Sequence, residues 1–294
     1  MSNHPPSSPD RLRRFAVVTG LTALGLAAAA RLYSMTIEPN QLRIERLRLA
    51  LPRLPKEFDG YCIVQLSDLH FGPALALPTV LRGIELTQAL APDLIVLTGD
   101  LTTYWLEEDR MVHALRQLAA PDGVYAILGN HDHYASVDTE GLRFALERAG
   151  VVELRNRHVR IERDGAGIYL AGVDDILFDQ GDLMQALDGI PDGAATVLLA
   201  HEPDYADLAA STGKVDVQLS GHTHGGQIVL FGQSVVKPLL QLGVKYISGL
   251  YRVPGPTRDM ALYTSRGLGR GPLLRWNAPP EITEIRLIAG SPTE

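Results

Sequence analysis

Five short apolar runs in this 294-residue chain each end directly in residues that bind metal ions. The five endings read Ser67-Asp68-Leu69-His70, Gly99-Asp100, Gly129-Asn130-His131-Asp132, His201 and Gly221-His222-Thr223-His224. Segments with helical spacing, at 79–90, 109–118 and 139–149, separate the earlier runs. Short apolar runs between helices are typical of strands buried on both faces of a layered α/β fold. Because ligands in such folds bind at the carboxyl ends of strands, these five ends can meet at one point.

The spacing and chemistry of these polar residues favour a shared metal site. Asp68 and His70 are two positions apart, so an extended chain would project both side chains from one face. His222 and His224 repeat that spacing. Together the five endings offer carboxylates, imidazoles and one carboxamide, and none of them offers a thiolate. Such a mixed set of nitrogen and oxygen ligands suits Mn²⁺, Fe or Zn²⁺.

Each motif taken alone also has an ordinary structural explanation. Asp-x-His and Gly-Asp are common sequences, and Gly-Asn-His-Asp fits a turn in which Asn and Asp adopt left-handed geometry. A single histidine after a strand, such as His201, is more often a core residue with satisfied hydrogen bonds. The segment from Gly221 to Gly226 is harder to explain as a turn, because two histidines near a buried strand end need polar partners. The five endings together therefore favour the metal site.

These motifs, in this order, resemble those of the calcineurin-like metallophosphoesterase superfamily over roughly Tyr61 to Thr264. The resemblance implies an α/β (α+β) fold, a four-layer αββα sandwich of two mixed β-sheets flanked by helices. It also implies two divalent metal ions that share Asp100. The first ion would be held by Asp68, His70, Asp100 and His224, and the second by Asp100, Asn130, His201 and His222.

The segment Tyr263-Thr264-Ser265-Arg266-Gly267-Leu268-Gly269, with an apolar N-terminal segment, resembles a narrower branch of the superfamily. That branch contains bacterial membrane-anchored phosphoesterases, some of which hydrolyse UDP-2,3-diacylglucosamine in lipid A synthesis. The resemblance implies hydrolysis of a phosphodiester or diphosphate bond in a phosphorylated small molecule or lipid. Arg266, Arg270 and Arg275 are candidates for a second phosphate contact or for solvated surface. The apolar stretch 231–256 either receives acyl chains, touches the bilayer or packs as ordinary core.

The residues after Asn130 are the candidates for proton transfer. His131 need not be a ligand, and beside Asn130 it could protonate the leaving group or stabilise the phosphoryl oxygens. Asp132 either orients His131 or is a turn residue. His133 is a third imidazole, which we predict to lie on the surface.

The N-terminus divides into a Pro/Ser-rich tail at 1–10, predicted to be disordered, and a transmembrane anchor or signal segment at 11–34. We expect the catalytic domain to occupy 35–294. Phe15 to Ala30 carries no charge and has arginines on both sides. The arginines before it predict a domain on the periplasmic side of a bacterial inner membrane. Arg43, Arg46 and other basic residues after it favour the cytoplasmic face, and export after signal cleavage is a third alternative.

Charge and cysteine content exclude some classes of function. The formal net charge of −7 argues against nucleic acid as a partner, because the field of the whole molecule does not attract it. The one cysteine, Cys62, is predicted to be a core residue, and it excludes a disulfide framework or a Cys-rich zinc site. A metal-dependent nuclease, a protein phosphatase and a non-catalytic membrane-tethered scaffold of the same fold are the alternative functions. The oligomeric state is left open.

Overall fold

Two mixed sheets of six strands each form the centre of the computed structural model, which describes residues 8–72, 77–103, 108–134, 137–237, 242–269 and 274–290. The first sheet contains, in spatial order, β1 (Arg43–Leu51), β14 (Glu281–Ala289), β2 (Cys62–Leu66), β3 (Leu94–Thr98), β4 (Val124–Ile127) and β5 (Val152–Glu153). Neighbouring strands run parallel except for the antiparallel pair β14 and β2. The carboxyl ends of β2, β3 and β4 therefore lie at the same edge of this sheet.

The second sheet has a parallel centre and antiparallel edges. Its strands, in spatial order, are β12 (Gly249–Val253), β13 (Met260–Thr264), β9 (Val217–Ser220), β8 (Thr196–Leu199), β7 (Ala166–Gly172) and β6 (Arg157–Arg163). A separate hairpin consists of β10 (Val229–Leu230) and β11 (Gln233–Ser234). The parallel order places the ends of β8 and β9 side by side.

Helices cover the outer faces of both sheets. They are α2 (Leu77–Ala89), α3 (Glu108–Leu115) and α4 (Thr139–Ala149) over the first sheet, and α5 (Leu183–Leu187) and α6 (Ala206–Ser211) over the second. A further helix, α1 (Ser8–Thr36), lies at the N-terminus. The predicted helix at 139–149 is confirmed as α4. The carboxylate of Asp138 accepts a hydrogen bond from the Gly141 amide at its start, and Gly150 ends it in a left-handed conformation.

Three apolar cores separate the layers. The core between the sheets contains Ile63 and Val96 from the first sheet and Val197 and Leu219 from the second, among others. A second core joins the other face of the first sheet to α2, α3 and α4, and a third joins the second sheet to α5 and α6. Alternate residues of each central strand therefore enter different cores, which explains the continuous apolar runs. The predicted four-layer αββα sandwich is confirmed.

The N-terminal helix α1 differs from the others because its apolar side chains are exposed along most of its length. The helix is long and apolar enough to cross a membrane, a test that a signal sequence near an N-terminus also passes. Its carboxyl end contacts the domain that the two sheets form. There the ring of Tyr33 meets that of Trp276 edge-on, with 5.5 Å between the ring centroids. Of the predicted tail 1–10, residues 1–7 lie outside the described residues and 8–10 belong to α1. The boundaries 11–34 and 35–294 stay predictions.

Candidate metal centre

The loops that follow β2, β3, β4, β8 and β9 meet at one place, where the carboxyl ends of both sheets come together. Asp68, His70, Asp100 and His224 each offer one ligand atom, and these atoms lie within 4.8 Å of one another. The Nε2 atoms of His70 and His224 are 2.9 Å apart. His224 Nε2 also lies 3.5 Å from Asp68 Oδ1. The four side chains thus converge from three separate loops, and they form the first ligand group.

A second group adjoins the first and contains His201, His222 and Glu202, again with ligand atoms within 4.8 Å. Asn130 belongs beside it, because its Oδ1 lies 3.0 Å from His222 Nδ1. Asp100 lies between the two groups. Its Oδ2 is 3.3 Å from His201 Nε2 on one side and 3.7 Å from His70 Nε2 on the other. This position is the one that a bridging carboxylate would take.

The backbone brings these side chains together by left-handed turns rather than by extended strands. Asp68, His70, Asp100, His222 and His224 all have positive φ, between 49° and 71°. Our expectation that an extended chain would project Asp68 and His70 from one face is therefore wrong, although both belong to the same group. His222 and His224 belong to different groups. Positive φ is uncommon for residues other than glycine, so the surrounding structure must impose it.

Hydrogen bonds to the backbone fix several of these side chains. The Nδ1 of His201 lies 2.7 Å from the carbonyl oxygen of Thr98, which turns its Nε2 toward Asp100. The carboxylate of Asp100 accepts a hydrogen bond from the His131 amide at 2.9 Å. Gly99 lies so close to the His201 ring that a Cβ there would be 2.5 Å from Nδ1. Such contacts preorganise ligands before a metal binds.

The buried charges of the site shift the pKa values of its groups. Burial raises the pKa of Asp68 to about 6 and lowers that of His70 to about 3. Burial also lowers the pKa of His222 to about 4. Burial would raise the pKa of Asp100 as well, but the charge of His201 beside it holds that pKa well below its usual range. The shifts follow from carboxylates and imidazoles that lie close together away from water.

The donor set fits divalent cations. Asp68, His70 and Asp100 are at most 1% exposed. Their ligand atoms and that of His224 all lie within 4.8 Å of one another. Buried carboxylates at such distances need cationic partners, because burying unpaired charge is unfavourable. Carboxylate, imidazole and carboxamide ligands without a thiolate suit borderline and hard divalent metals.

The three residues that follow Asn130 differ in the contacts that their side chains make. The ring of His131 packs between those of His70 and Tyr134, at centroid distances of 4.9 Å and 4.6 Å. The Asp132 carboxylate accepts hydrogen bonds from the amides of Leu101, Thr102 and Gly129, which are the contacts of a residue that braces a turn. That observation favours the turn interpretation of Asp132, and its catalytic role stays a prediction.

The prediction that His133 lies on the surface is wrong. Its side chain is 10% exposed, and its Nε2 lies 2.8 Å from Asp174 Oδ1. Burial opposes protonation of His133, but the hydrogen bond to Asp174 and the charge of that carboxylate outweigh it and raise its pKa. The same contact lowers the pKa of Asp174, although burial alone would raise it.

The pair of His133 and Asp174 should make stability depend on pH. The raised pKa of His133 contributes stability that is complete below the unfolded value of about 6.5 and is lost as pH rises through the folded pKa. We therefore expect His133→Gln to cost roughly 1 kcal/mol more at pH 6 than at pH 9. Thermal or denaturant unfolding at both values measures this, with His113→Gln on α3 as a control at an exposed position. Equal losses at the two pH values would contradict it.

The three arginines near the C-terminus do not lie free on the surface where they are described. Arg275 is completely buried, and its guanidinium donates to the carbonyls of Arg266, Gly267, Gly269 and Ala278. The guanidinium of Arg266 forms salt bridges with Glu45 and Glu281. The solvated-surface interpretation is therefore wrong for Arg275. The guanidiniums of Arg266 and Arg275 are both bound to groups of the protein itself, which does not favour a second phosphate contact there. Arg270 lies outside the described residues.

Arg275 stabilises the first ligand group without being one of its ligands, a role that the sequence did not reveal. One of its nitrogens lies 3.3 Å from His224 Nδ1. The carbonyls that it binds belong to a segment whose amides, at Leu268 and Gly269, donate to the carbonyls of Ser67 and Asp68. Glu202 was also missed, because nothing but its position after His201 marks it.

Comparison with known proteins agrees with this geometry. Residues 62–226 match the calcineurin-like phosphoesterases, and the chain belongs to that family. It is therefore a metal-dependent phosphoester hydrolase.

Three relatives are similar to this chain over most of its length. The "Uncharacterized metallophosphoesterase YkuE" of Bacillus subtilis (strain 168) is 35% identical, over 87% of this chain and 88% of its own length. The "UDP-2,3-diacylglucosamine pyrophosphatase LpxG" of Chlamydia trachomatis is 31% identical, over 86% of this chain and 91% of its own length. A "Transmembrane protein with metallophosphoesterase domain" of Danio rerio is 32% identical, over 90% of this chain and 62% of its own length. With the apolar α1, the transmembrane relative suggests membrane association.

Proposed function

We propose that this chain hydrolyses a phosphodiester or diphosphate bond of a lipid-linked or nucleotide-sugar lipid substrate, such as UDP-2,3-diacylglucosamine, with two divalent ions. The observation that carries the proposal is the position of Asp100 between two adjoining ligand groups. Two-metal sites with a shared ligand are typical of enzymes that displace a group at phosphorus.

The assignment of ligands follows the two groups. Asp68, His70 and His224 would hold one ion, Asn130, His201 and His222 would hold the other, and Asp100 would contact both. Mn²⁺, Zn²⁺ and Fe are the metals that this donor set suits. The chemistry that two such ions supply is activation of a water and neutralisation of charge on the phosphoryl oxygens.

His131 is the side chain in position to assist the leaving group. Its backbone amide is held by Asp100, and its ring is partly exposed beside the first ligand group. A histidine placed in this way can donate a proton to the departing oxygen or a hydrogen bond to the phosphoryl group.

We expect His131→Ala to lower turnover by about 10²-fold or more while metal content stays unchanged, since general acid catalysis contributes about that much. Turnover of bis(p-nitrophenyl) phosphate and metal analysis of the same sample measure the two effects. His133→Gln, two residues further along, is the matched control and should retain most of its turnover. Full turnover in His131→Ala would remove this residue from the mechanism.

The lipid character of the substrate is supported by the apolar α1 and by the similarity to the relative from Chlamydia trachomatis. The test compares UDP-2,3-diacylglucosamine with its deacylated counterpart, using the full chain in phospholipid vesicles. We expect the acylated compound to be hydrolysed faster. Equal turnover of both, or turnover of neither, would contradict a lipid substrate, and the bis(p-nitrophenyl) phosphate assay would still test the phosphoesterase activity.

We further propose that α1 anchors the domain to the periplasmic side of a bacterial inner membrane.

A further inference from the structure

The β10–β11 hairpin follows directly after the segment that carries His224, and it exposes an apolar tip. Leu230 and Val235 are 42% and 49% exposed, and Phe231 at the tip is fully exposed within the described part of the chain. The hydroxyl of Ser234 donates to the Gly226 carbonyl, so the base of the hairpin is tied to the loop that holds the metal ligands. An apolar tip on such a short hairpin needs an explanation outside the fold, because it adds nothing to a core.

The backbone at the tip makes Phe231 an unfavourable choice for folding alone. The strands pair Leu230 with Gln233, so Phe231 and Gly232 form a two-residue turn, with φ values of 50° and 77°. Positive φ at both turn positions favours Asn, Asp or Gly. A left-handed conformation is unfavourable for residues with larger side chains. Since the exposed ring packs against no core among the described residues, we expect it to be stabilised by a contact beyond the chain.

The position of the hairpin beside α1 identifies that contact. An apolar crevice of about 300 Å³ lies between the carboxyl end of α1, at Ala30 and Ser34, and the hairpin at Leu230. Trp276 joins the two elements, because its ring meets that of Tyr33 and its backbone pairs with Gln227 and Val229. Tyr and Trp near the end of an apolar helix, with Arg31 in the same place, are typical of a membrane–water interface. The hairpin tip therefore continues the apolar surface of α1.

We propose that the β10–β11 hairpin is a second membrane contact, in which Phe231, Leu230 and Val235 enter the boundary between headgroups and acyl chains. The inference rests on the membrane attachment proposed for α1. Two contact points fix the orientation of the domain, which a single helix does not. Because the hairpin begins five residues after His224, the metal ligands are held close to the level of the phosphates of membrane lipids.

The test measures membrane depth on the full chain in phospholipid nanodiscs that hold one chain each. Phe231→Cys in a Cys62→Ala background carries a nitroxide label, and Phe144→Cys on α4, also exposed, is the matched control. We expect the ratio of oxygen to nickel-chelate accessibility to be several-fold higher at 231 than at 144. Equal ratios would overturn the membrane contact of the hairpin. A tip that binds a protein partner instead would give this result. Failure of the full chain to float with vesicles would overturn both membrane contacts.

Activity separates this inference from the proposed function. Phe231→Asp should lower turnover of a phosphoester held in vesicles and leave turnover of bis(p-nitrophenyl) phosphate in solution unchanged, whereas Phe144→Asp should change neither. Equal vesicle turnover in Phe231→Asp and the unmodified chain would overturn the hairpin contact. If the unmodified chain hydrolyses neither ester, the proposed function fails, while the depth measurement still decides the contact.

Discussion

Asp100→Asn should reduce turnover at least about 10³-fold, because a bridging carboxylate stabilises both ions and each contributes several kcal/mol to the reaction. The substitution keeps the shape of the side chain but removes the charge that lies between His70 and His201. Metal content should fall in the same sample. Turnover of bis(p-nitrophenyl) phosphate with added Mn²⁺, together with metal analysis, measures both effects.

Asp132→Asn is the matched control for this experiment. Asp132 is also a completely buried aspartate near the site, but its carboxylate contacts backbone amides. We expect Asp132→Asn to lower stability and to leave metal content unchanged. A metal-replete Asp100→Asn protein with normal turnover would show that the bridging position is misassigned.

Arg275→Met should lower the free energy of unfolding by roughly 3 kcal/mol or more, since it leaves buried carbonyls without their charged donor. Methionine fills similar space but cannot donate to the carbonyls of Arg266, Gly267, Gly269 and Ala278. The substitution should also lower the affinity for metal, because the Gly269 amide donates to the Asp68 carbonyl and the guanidinium lies against His224. Denaturant unfolding and a Mn²⁺ titration measure the two effects.

Arg286→Met provides the control for loss of a guanidinium. The Arg286 side chain is 44% exposed and forms a salt bridge with Glu284. Its replacement should change stability by no more than about 0.5 kcal/mol and should not change metal affinity. If Arg275→Met unfolded as readily as the Arg286 variant and bound Mn²⁺ normally, the buried guanidinium would have no supporting role.

The fold could be predicted largely because its central strands are buried on both faces. The apolar runs at 61–66, 93–98, 196–200 and 260–264 correspond to β2, β3, β8 and β13. Strands with many charged residues carry no such signal, and β6, which reads Arg-His-Val-Arg-Ile-Glu-Arg, was not predicted. The short apolar segment 227–231 likewise contains only the two residues of β10. The apolar stretch 231–256 contains β11 and the edge strand β12, while 238–241 lie outside the described residues.

The candidate site could be predicted as a set of residues but not as a geometry. Ligand chemistry at strand ends is visible in the sequence, whereas left-handed backbone at Asp68, His70 and Asp100 depends on how neighbouring loops pack. Tertiary packing also decides the environment of Arg275, whose partners are backbone carbonyls that no sequence pattern marks. For the same reason His133 was misplaced, because its partner Asp174 lies 41 residues away.

Anomalous diffraction from crystals of the protein grown with Mn²⁺ tests the central claim most directly. We predict two metal peaks, one within the group of Asp68, His70 and His224 and one within the group of Asn130, His201 and His222, both in contact with the Asp100 carboxylate. A single peak, or peaks that do not contact Asp100, in crystals of protein that retains full Mn²⁺-dependent turnover would contradict a two-metal site.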